Sequence, residues 1–150
     1  MKNKNLSIII IGILVIAIAI YFFIGIPQST DQETSDDEVK GVEIEGYKEI
    51  SVEKTKKLLD ENPQDWIVLD VSPKYTEGHI PGAINYYVGD GSLDAAIPNL
   101  DKTAQYIVYC HIASASRQGA QKLVDAGFET VYRLTGDYSG WVEAGYPIEQ

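Results

Sequence analysis

The sequence predicts an α/β domain of three layers with a mostly parallel five-stranded sheet, preceded by one N-terminal transmembrane helix. Three features predict this. Short apolar runs rich in Val, Ile and Tyr end on turn residues, amphipathic stretches of helical spacing lie between them, and an uncharged segment of 21 residues, Leu6 to Ile26, stands ahead of both. The runs are continuous rather than alternating, as expected of strands covered on both faces.

In chain order, residues 1–5 form a short basic N-terminus with Lys2 and Lys4. Residues 6–26 are the candidate anchor: at about 1.5 Å per residue a helix of this length covers about 31 Å, close to the hydrocarbon thickness of a bilayer. The first charges after it are acidic, Asp31, Glu33, Asp36 and Asp37. The positive-inside rule therefore puts the N-terminus in the cytoplasm and the rest of the chain outside it. A cleaved secretory signal is the competing reading, because Ala17-Ile18-Ala19 has the spacing of a cleavage site. Against it, the apolar run continues through Tyr21-Phe22-Phe23-Ile24, beyond the usual h-region of about 7 to 15 residues. A lipid-anchored precursor needs a cysteine just after the run, and none stands there. Residues 27–42 are polar, acidic and aperiodic, a flexible stalk.

Residues 43–150 are the domain, enough for one core and too few for two. Tyr47 to Ile50 reads as its first strand. Ser51 can cap a helix whose apolar face includes Val52, Thr55, Leu58 and Leu59. Trp66 to Val71 reads as a buried strand, and Gly78 with Pro81-Gly82 marks the connection to a third strand, Ile84 to Tyr86. Tyr106 to Tyr109 is the fourth. A helix beginning near Ser116 stops at Gly127, and Thr130 to Leu134 is the fifth strand.

Cys110, the chain's single cysteine, stands where the fourth strand gives way to His111-Ile112-Ala113-Ser114-Ala115-Ser116. A thiol at the carboxyl end of a central strand, before a helix, occupies the usual place of a reactive group in an α/β domain. If the following amides wrap its sulfur, they favour the thiolate and can hold an anion beside it, giving a nucleophile of low pKa. The plain alternative is a small buried apolar residue.

Three separated stretches resemble the rhodanese (sulfurtransferase) domain family over roughly Tyr47 to Glu149. Asp70-Val71 followed by Tyr75-Thr76-Glu77-Gly78-His79-Ile80-Pro81-Gly82-Ala83-Ile84-Asn85 is similar to the family's Asp-Val and Tyr-x-x-Gly-His-Ile-Pro-Gly-Ala signature. The spacing from Cys110 through Ala120 and Leu123 to Ala126-Gly127-Phe128 matches its loop and helix. The tail Leu134-Thr135-Gly136-Asp137, Trp141 and Ala144-Gly145-Tyr146-Pro147 matches its end. The resemblance implies covalent catalysis in two halves. The Cys110 thiolate takes a sulfane sulfur from thiosulfate or another small sulfur anion or polysulfide, becomes a persulfide, and passes the sulfur to cyanide or a thiol. It implies no metal and no cofactor. With no second cysteine in the chain, the thiol acceptor is external.

The resemblance also makes Cys110 to Ala115 the active loop, of the six-residue size associated with sulfur transfer, while the related phosphatases have one more residue and an arginine. A phosphate needs a fork of donors six residues after the cysteine. Here that position is Ser116, and Arg117 comes one residue later. Three departures fall at the site: Ala113 and Ala115 replace the usual loop glycine and arginine, and Ser72 replaces the arginine after Asp70-Val71. Arg117 or Arg133 is the candidate to restore the missing charge, and Arg117 on a first helical turn facing solvent is the competing expectation. Asp70 is a candidate to orient the loop, or only to hydrogen-bond to backbone. His111, Ser114 and Ser116 are possible donors to a bound sulfur anion, with Ser116 also a possible helix cap and His111 a possible exposed spectator. His79 reads as a brace for the sheet, and Trp141 with Tyr138 and Tyr146 as a lid on the core.

Charge agrees with this division. Beyond Ile26 there are 12 − 2 = 10 basic residues against 22 acidic ones, a net of −12, so nucleic acid is excluded as a partner. Such a surface repels small anions, and the loop field has to hold any that bind. The expectation is a membrane-anchored, extracytoplasmic sulfurtransferase. The alternative is a non-catalytic module of the same fold that binds a partner or senses sulfur or redox state through Cys110.

Overall fold

A computed structural model of the chain describes residues 43–44 and 46–150. The anchor over 6–26 and the stalk over 27–42 lie outside the described residues, and among the described ones no helix is long and apolar enough to cross a membrane.

The order is β1 (Glu43–Ile44), β2 (Tyr47–Ile50), α1 (Val52–Glu61), β3 (Trp66–Asp70), β4 (Ile84–Asn85), α2 (Ser92–Ala96), β5 (Gln105–Tyr109), α3 (Ala113–Asp125), β6 (Thr130–Leu134) and α4 (Asp137–Glu143). One sheet runs β1-β2-β6-β5-β3-β4. The five expected strands are present and pair in parallel. The sheet has six strands rather than five, because the turn at Gly46 (φ +93°) folds β1 back antiparallel on the edge of β2. A two-residue edge strand gives no periodicity to read.

Side chains of the central strands alternate between two cores. Tyr106 and Val108 of β5 join Leu69, Val71, Ala120 and Leu123 on the face covered by α2 and α3. Ile107 and Tyr109 join Val68, Val52, Leu134 and Trp141 on the face covered by α1 and α4. The result is the three-layer arrangement. Leu123 is fully buried, so its truncation to alanine removes about 2–5 kcal/mol.

The helix ends explain the boundaries. The Ser51 hydroxyl accepts from the Lys54 amide at 3.2 Å and caps α1, as expected. Gly127 (φ +84°) ends α3: its amide bonds Val124 O and that of Phe128 bonds Leu123 O, the paired closure that only a left-handed residue permits. The start of α3 departs from expectation. The helix begins at Ala113, three residues before Ser116, with Ile112 as an N-cap that offers no side-chain bond. Alanine at 113 and 115 in place of glycine and arginine leaves a run of Ala and Ser with nothing to hold it out of the helix.

Candidate active site

The carboxyl ends of the parallel strands bring Asp70, Cys110 and the turn after Leu134 to one edge of the sheet, as Asp70 pairs with Tyr109 in register. Cys110 is free and 1 % exposed. Its peptide is clamped from both sides by the start of α4. Its amide donates to Asp137 Oδ1 at 3.2 Å, and its carbonyl accepts from the Tyr138 amide at 3.0 Å.

Asp137 is the one described non-glycine residue with positive φ, +51°. A side chain here costs on the order of 1 kcal/mol, and aspartate is among the residues that tolerate the conformation best. Its Oδ2 lies 3.4 Å from Arg133 Nη1. Arg133, itself buried, also donates from Nε and Nη2 to Glu49 Oε1 at 3.0 and 2.6 Å, and from Nη1 to Ser116 Oγ at 3.2 Å and Leu134 O at 3.3 Å. Arg133 is spent beneath the first turn of α3, and Arg117 is exposed. Ser116 is neither cap nor exposed donor: it is buried, and its hydroxyl donates to Ala113 O at 3.0 Å.

The expected six-residue loop is three residues, Cys110, His111 and Ile112, because the other three are already helical. Neither Ala113 nor Ala115 has positive φ, so neither is strained. Ile112 is 58 % exposed, an apolar residue where a small anion would need donors. Ala113 and Ser114 are exposed, and Ala115 is half-buried. The His111 ring stacks on Tyr138 with centroids 4.1 Å apart and planes at 14°. Tyr138 therefore belongs to the site's wall, and it also packs with Tyr146 on the core that holds Trp141, as the sequence predicts.

The expectation of a low-pKa thiol is reversed. Burial pushes the Cys110 thiol up, and the nearby Asp70 and Asp137 carboxylates add to the rise, while the amides of Ile112 and His111 aimed at the sulfur pull it down. Burial likewise raises the Asp137 carboxyl, opposed by the Ser116 hydroxyl, the Cys110 amide and the charges of Arg133 and Arg117.

Asp70 orients its own strand end rather than the Cys110 loop. Its Oδ1 accepts from the Ser72 amide at 2.8 Å, its carbonyl accepts from Asn85 Nδ2 at 2.9 Å and the Tyr86 amide at 3.0 Å, and its Oδ2 is buried without a partner. The signature segment is structural. Ile80 donates its amide to the Tyr109 hydroxyl at 3.0 Å, and Tyr75 donates its hydroxyl to Ala83 O at 2.8 Å. His79 stacks on Tyr75 at 3.7 Å and lies 3.6 Å from Glu149. It is the brace that the sequence predicts. Asp137 and its link to Arg133 and Glu49 were missed by sequence reasoning. The available signal was a short polar residue directly after Gly136, where the chain turns from strand to helix.

Comparison with known proteins agrees with the fold. Residues 51–144 match the model of the rhodanese-like domain. A thiosulfate sulfurtransferase GlpE from Pseudoalteromonas translucida is 31% identical over 109 residues, spanning 67% of this chain and 92% of that protein. Its namesake from Glaesserella parasuis is 28% identical over 105 residues, 70% of this chain and 95% of that one. Among solved structures, the Alr3790 protein from Anabaena sp. superposes with a TM-score of 0.61 at 29% identity, over 67% of this chain and 80% of that chain. A rhodanese-related protein from Thermoplasma volcanium gives 0.58 at 26%, over 69% and 98%.

Proposed function

The chain belongs to the rhodanese-like domain family, and on that premise we propose that it is a sulfurtransferase in which Cys110 carries a sulfane sulfur as a persulfide. One observation carries this. Cys110 ends a central strand at the start of a helix with two amides aimed at its sulfur, in a chain that aligns with proteins named thiosulfate sulfurtransferase over nearly their whole length.

In the first half-reaction the thiol gives its proton to solvent, and the thiolate attacks the sulfane sulfur of thiosulfate. The new S–S bond forms at Cys110, the old one breaks, and sulfite leaves with the electron pair. The persulfide anion lies against the amides of His111 and Ile112, where the start of α3 adds its partial positive charge. In the second half, cyanide or an external thiolate attacks the outer sulfur and Cys110 departs as thiolate. Asp70 and Asp137 stand near the sulfur, Ala115 replaces a cation and Arg133 is engaged elsewhere, so small dianions are poor donors. A donor bringing less charge per sulfur, a polysulfide or a protein-borne persulfide, suits the site better.

The burial of Cys110 favours one second reading, a non-catalytic module that binds a partner or senses sulfur or redox state. Turnover separates the two. With thiosulfate or polysulfide as donor and cyanide as acceptor, the full chain forms thiocyanate catalytically, and Cys110→Ser forms none beyond the protein-free rate while keeping its melting temperature. Equal thiocyanate from both proteins would refute the role of Cys110.

We also infer that residues 6–26 anchor the domain to a membrane, with the N-terminus cytoplasmic and the domain outside. The uncharged run and the signs of its flanking charges support this.

A further inference from the structure

The turn that joins β6 to α4 holds a charge arrangement that sulfur transfer as such does not require. Two buried or half-buried carboxylates, Glu49 and Asp137, share the single guanidinium of Arg133. Glu49 takes the short contacts at 2.6 and 3.0 Å, and Asp137 is left the long one at 3.4 Å. The trio is therefore one negative charge in excess, and the excess lies on the carboxylate that also binds the Cys110 amide at 3.2 Å. The backbone of Asp137 is left-handed at φ +51°, the conformation a glycine adopts without cost, so the side chain is kept there against its local preference. Every element packed around the site contributes a group. Asp70 comes from the end of β3, Arg133 from β6, Glu49 from β2, Ser116 and the exposed Arg117 from α3, and the stacked His111 and Tyr138 from the wall.

We propose that Asp137 is a positioning residue that fixes the Cys110 peptide through Oδ1 and, as an under-neutralised buried anion, imposes a negative field on the site that disfavours anionic reagents. This rests on Cys110 being the reacting group of the site. It does not require that the chain transfer sulfur. Asp137 thereby sets how much charge an incoming sulfur donor can carry. Burial and the two carboxylates push the Cys110 thiol in the same direction.

The test is alkylation of Cys110 in the full chain by two reagents of the same chemistry and different charge, iodoacetamide (neutral) and iodoacetate (anionic), followed against pH. Asp137→Asn keeps an oxygen for the Cys110 amide and removes the charge. Its midpoint falls. The opposing loss of thiolate nucleophilicity partly offsets the gain in thiolate, so iodoacetamide reacts only modestly faster at neutral pH. The ratio of iodoacetate to iodoacetamide rate rises as well, which a purely structural change would not produce. Asp137→Gly suits the left-handed backbone and, if the asparagine variant does not fold, tests the charge through the iodoacetate-to-iodoacetamide ratio, the positioning bond being lost with it. Midpoint and ratio unchanged from wild type in the folded variants would overturn the proposal. Because the readout involves no sulfur donor, it succeeds or fails separately from sulfur transfer.

Discussion

Two opposed influences meet at Cys110. The amides of His111 and Ile112 favour charge on the sulfur, while burial, Asp70 and Asp137 oppose it. Burial dominates, so the thiol titrates above its ordinary value and the reactive thiolate is a minority at neutral pH. Since the raised group is an acid whose charged form reacts, raising the pH increases the reactive fraction. The rate of sulfur loading, followed under single-turnover conditions, should rise with pH and still be climbing above about pH 8.5, where an ordinary cysteine has half ionised. A rate already level at pH 7 would mean that the amides outweigh burial. The placement of this thiol was readable from the apolar run that precedes it. Its acid strength was not, because that depends first on burial and then on Asp70 and Asp137, which lie 40 and 27 positions away in sequence and meet it only in the fold.

At the scale of elements, the site is shaped by where α3 begins. Ala113 and Ala115 join the helix, shorten the loop to Cys110, His111 and Ile112, and leave Ile112 exposed. Restoring the usual pattern with the double variant Ala113→Gly/Ala115→Arg should free the loop and supply a charged donor. A charge-assisted bond contributes about 1.5–3 kcal/mol, so kcat/KM for thiosulfate should rise about ten-fold or more, with little change for a donor of low charge. An unchanged value would place the barrier in the burial of the sulfur rather than in the loop. The strands were legible because continuous runs such as Trp66 to Leu69 leave few alternatives, and α1 because Ser51 caps it in the expected way. The start of α3 was misplaced because Ser116 reads as a cap, whereas it is buried against Arg133. The edge strand β1 was missed because two residues carry no pattern.

For the whole molecule, the uncharged stretch at residues 6–26 and the signs of its flanking charges support the proposal that the domain lies beside a membrane, on the side opposite the N-terminal lysines. The chain should stay with the membrane fraction through high-salt and alkaline washes, and protease added to intact cells stripped of any outer barrier should digest the domain. Recovery in the soluble fraction would refute the anchor without touching the chemistry. That chemistry rests on one covalent state, and the most direct measurement is the intact mass of the full chain before and after a polysulfide or thiosulfate, then after cyanide. The account predicts the gain of a single sulfur atom, absent in Cys110→Ser, and its loss when cyanide becomes thiocyanate. A chain that gains no sulfur from either donor, or that gains it equally without Cys110, would contradict it.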